Sequence, residues 1–172
     1  MPFFSAPSRK AEVYRFKLPT IILISLLALV LQTYLPLYLG FITILDLPLL
    51  VVIYFALTRR SPVPALLSGA LIGMAQDSLA RGPIGLFGVV KTVIGYITSS
   101  AGIRLDTEST GIRFLTIFFL YELHFFLLYG LGVALLGQSI EFDLMARFLA
   151  ALANAIAGVL LFQLLDRFRE PA

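Results

Sequence analysis

Six runs of about twenty apolar residues follow one another along the chain, and they limit its fold more than any other feature. They fall at 18–36, 38–58, 63–80, 84–103, 113–136 and 144–165. A helix needs about that length to cross a hydrocarbon core. The runs are apolar all round and do not alternate, which excludes a β-barrel. Helices also satisfy their own backbone in lipid. Composition agrees: 59% of the 172 residues are hydrophobic and 13% are charged, against roughly 25% charged in soluble domains. An ordinary soluble globule, a disordered chain and a coiled coil are therefore excluded. The expected fold is an all-α integral membrane bundle of six transmembrane helices.

Lysine and arginine set the expected orientation. The tail before the first run carries Arg9, Lys10, Arg15 and Lys17. Arg59 and Arg60 follow the second run, Arg104 and Arg113 follow the fourth, and Arg167 and Arg169 follow the sixth. The alternate segments carry only Arg81 and Arg147, and Lys91 lies inside the fourth run. Both termini are thus expected in the cytoplasm, and six crossings are the parity this requires. The net charge of +3 is read as this bias and not as nucleic-acid binding.

The domain organisation follows: a cytoplasmic tail 1–17, a membrane domain 18–165 and a cytoplasmic tail 166–172. The first run is longer than a signal-peptide core and no small-x-small site follows it, so it reads as a retained helix. Short links, such as Arg81-Gly82-Pro83, make consecutive helices antiparallel neighbours. The first tail interleaves Phe3, Phe4, Tyr14 and Phe16 with basic residues. That pattern suits either a segment lying on an anionic lipid surface or a plain positive flank.

Five ionisable residues fall within the runs: Asp46, Asp77, Lys91, Glu122 and His124. A charge at the bilayer centre costs at least about 2.5–3.5 kcal/mol on insertion scales, so each needs a partner, a water cavity or a neutral state. At 1.5 Å per residue, Asp46 would sit about 12 Å and Lys91 about 10 Å from the outer ends of their helices. One lysine at the depth of several carboxylates predicts an intramembrane charge centre of Asp46, Lys91, Glu122 and His124. Such a centre can hold helices together, receive a partner's helix, or line a transport or proton path.

Small residues form a second pattern. Gly69 and Gly73 share a face of the third run, and Gly82, Pro83, Gly85 and Gly88 open the fourth. Ala146, Ala150, Ala153 and Ala157 recur at helical spacing in the sixth. Such faces let helix backbones approach closely, either within the bundle or against another protein. The expected partner groove is the surface of the third and fourth runs, with Asp77 and the 82–88 turn at its outer end. A second copy of the chain, as a homodimer, is a further partner open to such a face. The fifth run, with Phe118, Phe119, Phe125 and Phe126, is expected to face lipid in part.

Signatures of catalysis are missing. The chain has no cysteine and one histidine, which excludes thiolate and histidine-cluster metal sites. Residues 66–69 read Leu-Leu-Ser-Gly, not the Gly-x-Ser-Gly of a serine intramembrane protease. Asp77 follows Met-Ala-Gln, not the glycine-rich start of an aspartyl one. There is no His-Glu-x-x-His and no phosphate loop. No enzyme activity, cofactor or metal is expected.

The stretch 69–88, GALIGMAQDSLARGPIGLFG, resembles the signature of the rod shape-determining MreD family: a small-residue helix, an aspartate near its end, and a Gly-Pro-x-Gly turn into the next helix. Asp46, in ITILDLPLLVVIYFAL, resembles the aspartate that opens the family's second block, although Leu45 precedes it here and proline comes at Pro48. The resemblance implies a non-enzymatic scaffold of the bacterial cell-elongation machinery in the inner membrane. It implies MreC as direct partner, with the glycosyltransferase RodA, its class B penicillin-binding partner and MreB filaments as indirect ones. The family also resembles in fold the substrate-binding subunits of energy-coupling-factor vitamin transporters. That supplies a second reading, a solute-capturing subunit.

Overall fold

In a computed structural model, residues 17–59, 61–80, 83, 85–105, 109–137 and 143–168 are described. They form six α-helices: α1 Leu18–Tyr34, α2 Leu47–Arg59, α3 Pro62–Leu79, α4 Leu86–Gly102, α5 Thr110–Leu136 and α6 Leu144–Asp166. Two short 3-10 turns, Leu35–Leu37 and Gly40–Ile44, join α1 to α2. The tail up to residue 16, Gly82 and the last residues 169–172 lie outside the described residues.

Local chemistry explains the boundaries. Proline stands in the first turn of α1, α2 and α3, at Pro19, Pro48 and Pro62, where its missing N–H costs nothing. Asp143 caps α6 by accepting from the backbone N–H groups of Met145 and Ala146, the usual duty of an N-cap carboxylate. Gly137 closes α5 with φ 62°, and Gly85 precedes α4 with φ 105°. Both values lie in the left-handed region that glycine enters at least cost.

One boundary differs from the sequence expectation. The second apolar run, 38–58, does not make one long helix. The helix starts only at Leu47, after the 3-10 turns. Pro48 is the physical reason: it has no N–H to donate to the Ile44 carbonyl and its ring would clash there, so a helix can begin at this point but not run through it, and Asp46 supplies the cap. Its carboxylate Oδ1 accepts from Leu49 N–H at 2.9 Å. The 13 residues of α2 rise about 20 Å, less than the ~30 Å core of a bilayer.

This short helix is the axis of the molecule. It packs against all the other helices, and every residue from Pro48 to Thr58 is buried. Around it, α1 meets α3, α3 meets α4, α4 meets α5 and α5 meets α6. The outer faces are apolar. Leu23 and Leu27 of α1, Leu71 of α3, Phe119 of α5, and Phe148 and Leu160 of α6 are all more than half exposed. Among the described residues, three helical stretches are long and apolar enough to cross a membrane: Leu18–Tyr38, Thr110–Leu136 and Leu144–Asp166. As expected, the fifth run turns some of its aromatics outward.

The small-residue faces of α3 and α4 are turned against each other. A Cβ on Gly69 would strike the Lys91 carbonyl, and one on Gly73 the Phe87 carbonyl. Gly88 faces Met74 and Asp77, and Gly95 faces Ala65. The partner groove expected on this surface is therefore filled by the protein's own α3–α4 contact. Two backbones this close leave no room for a third helix. On α6, Gly158 fits against Ile117 and Leu50, with Ala151 and Ala155 fully buried.

Candidate functional site

The break before α2 leaves partly buried backbone groups without helical partners, and side chains from two neighbouring helices repair it. Asp46 N–H donates to Asn154 Oδ1 at 2.9 Å, and the Asn154 amide donates back to the Ile44 carbonyl at 2.8 Å. Gln32 does the same from α1. Its amide donates to the Leu45 carbonyl and its Oε1 accepts from Leu47 N–H, both at 2.9 Å. Four backbone groups that a continuous helix would have satisfied are thus satisfied by two amides, as buried polar groups must be. The charge count of the sequence could not find Asn154, because an amide carries none. The usable signal was an asparagine amid alanines, Ala-Leu-Ala-Asn-Ala-Ile-Ala, in an otherwise apolar run.

Beside this clamp lies the charge centre. Lys91 Nζ is 2.7 Å from Asp46 Oδ2 and 3.4 Å from His124 Nε2. His124 Nε2 is 3.8 Å from the same carboxylate oxygen. The Lys91 side chain is fully buried, and that of Asp46 is 14% exposed. Phe87, one turn before Lys91, brings its ring to 5.4 Å from the ammonium and stacks on His124. The lysine is thus met by a carboxylate, an imidazole and an aromatic face, all of which favour a cation. Three of the four residues expected at the centre meet there.

Glu122 does not. It lies two residues before His124 on α5, and two helical steps turn a side chain through about 200°. Glu122 faces α6 instead, with Arg147 Nη2 at 3.6 Å from Oε2. Arg147 lies over the Phe125 ring as well. The chain therefore separates two ion pairs where the sequence predicted one cluster.

Asp77 has a structural duty of its own. It is 2% exposed, and its carboxylate accepts from the backbone N–H groups of Gly85, Phe87 and Gly88 at 2.9–3.0 Å. It thereby caps α4 from the end of α3. Negative charge at a helix N-terminus also suits the helix dipole.

At the other end of the bundle, Arg113 Nη1 donates to Asp166 Oδ2 at 2.6 Å, and the Tyr54 hydroxyl donates to Asp166 Oδ1 at 3.0 Å. Arg113, counted in the sequence as a loop charge, is a buried residue in the first turn of α5. This clamp ties α5, α6 and the central α2 together.

Fold, surface and paired internal charges together define a helical membrane protein whose polar groups are partnered within its own bundle. The chain belongs to the family of rod shape-determining protein MreD, whose family model matches residues 14–169. Its role therefore lies in rod-shape determination, in a family of shape-determining structural membrane proteins. Comparison with curated proteins gives no match, and comparison with solved structures gives none.

Proposed function

We propose that this chain is a six-span, non-enzymatic scaffold subunit of the bacterial cell-elongation machinery, set in the cytoplasmic membrane with both termini inside. It binds MreC by helix-on-helix contact within the bilayer and acts through it on RodA, the class B penicillin-binding protein and MreB. The match to the MreD family over residues 14–169 carries this reading. The arginine and lysine bias supports the orientation. The surface supports the mode of binding, because leucine, isoleucine and phenylalanine dominate the exposed faces of α1 and α6. The α3–α4 glycine surface is used internally, so the partner's helix docks on another face. Affinity-tagged protein, extracted in mild detergent from membranes that also express MreC, is expected to retain MreC through purification. Recovery of the chain without MreC under conditions that keep both folded would overturn the reading.

A second reading, the solute-binding subunit of an energy-coupling-factor transporter, is favoured by one observation. A cavity of about 200 Å³ adjoins the charge centre. Drug-sized ligand sites run from roughly 300 to 1,000 Å³, so the scaffold reading stands first. Saturable vitamin binding by the purified protein would reverse the order.

A further inference from the structure

The same cavity has a chemistry that an apolar packing defect lacks. Its wall includes Gln32, Thr43, Asp46, Gln76, Tyr121 and His124. Thr43 and Ile44, at one edge, are exposed, while Asp46 and His124 reach Lys91 at the other. The space thus runs from the surface beside the 3-10 turns to the ion pair. Gln76 is a wall residue too, and its Oε1 is buried without a protein hydrogen-bond partner among the described residues. An unpaired buried acceptor costs about 1–3 kcal/mol unless something donates to it. Apolar cavities stay dry, whereas polar ones with several partners hold water. At about 30 Å³ per molecule, the 200 Å³ admits some six waters.

We infer that this cavity is a water-filled vestibule, open on the side of the membrane that carries the 35–44 turns, with the Asp46–Lys91 pair at its floor and Gln76 on its wall. The vestibule hydrates a charged pair that would otherwise lie in a dry interior, and it gives small polar solutes a path to that pair. Which side it opens to rests on the orientation proposed above, namely the outside.

The chain has no cysteine, so single cysteines can be introduced without removing others. Gln76→Cys and Thr43→Cys would be treated in sealed right-side-out vesicles with a small, membrane-impermeant thiosulfonate. Tyr38→Cys, on the exposed turn, serves as the control for sidedness. Leu71→Cys, on the apolar outer face of α3, serves as the lipid control. Only the thiolate reacts, and it forms in water, so Gln76→Cys is expected to label about tenfold or more faster than Leu71→Cys. Labelling of Gln76→Cys as slow as Leu71→Cys, while Tyr38→Cys reacts and the variant elutes as a folded species, would overturn the vestibule. Labelling of Tyr38→Cys only in inverted vesicles would overturn the orientation instead, and Gln76→Cys would then be judged in those vesicles.

Discussion

Lys91 Nζ stands 2.7 Å from Asp46 Oδ2, so the middle of α4 is tied to the residue that caps α2. Removing one partner of a buried pair strands the other charge and costs about 3–5 kcal/mol. Lys91→Ala is therefore expected to lower the melting temperature in detergent sharply and to reduce the yield of folded protein. Lys91→Met combined with Asp46→Asn removes both charges and should recover part of that loss. A Lys91→Ala protein that melts and expresses like the parent would show that the pair contributes nothing.

Asn154 serves Asp46 N–H and the Ile44 carbonyl together. Asn154→Leu leaves both unsatisfied, at about 1–3 kcal/mol each. Hydrogen exchange should accelerate at the Asp46 amide, while amides at the far end of α2 keep their protection. Uniform exchange across α2 would mean that the clamp is not local.

Two glycines separate close packing from mere helix propensity. Gly73→Ala drives a methyl into the Phe87 carbonyl, and such overpacking costs about 1–3 kcal/mol. Gly130→Ala meets nothing within 4 Å and should gain up to about 1 kcal/mol from helix propensity. Opposite signs in thermal melts of the two variants are the expected result.

Asp77 holds three backbone donors at the start of α4. Asp77→Ala is expected to cost about 2 kcal/mol or more, above the usual 0.5–2 for an exposed cap, because these donors have little water to turn to. Asp77→Asn keeps an acceptor and should fall between. Melting in detergent ranks the three proteins.

Glu122 and Arg147 form a looser pair, 3.6 Å apart with side chains 23% and 13% exposed. At 3.6 Å the contact is longer than the 2.7 Å between Lys91 and Asp46, and Glu122 caps no helix. Glu122→Gln should therefore lower the melting temperature less than Asp46→Asn does. Equal losses would place Glu122 back in the central cluster.

The apolar runs alone marked where five of the helices lie, because a stretch that cannot be hydrated must be helical in lipid whatever its neighbours. They also marked Asp46, Lys91, Glu122 and His124 as residues that need partners, since burial penalises any of them alone, and Glu122 found its partner elsewhere. The second helix was misplaced because hydropathy averages over Asp46 and Pro48, whereas the backbone obeys each residue separately. Asp-x-Pro is a helix-start signal, and it outweighs the apolar residues before it.

Which groups pair was decided by the tertiary structure. His124 and Glu122 differ by two positions in sequence and face opposite neighbours in space. Asn154 reaches Asp46 across 108 residues. The glycine faces were legible as sites of close approach, but a small-residue stripe does not say whose backbone approaches it. Packing of α3 on α4 answered that, because the backbones meet where any side chain would collide. Chain chemistry thus set the solvent, the helices and the need for internal partners, and three-dimensional packing alone assigned the partners, because hydrogen bonds and ion pairs act over a few ångströms of space regardless of sequence distance.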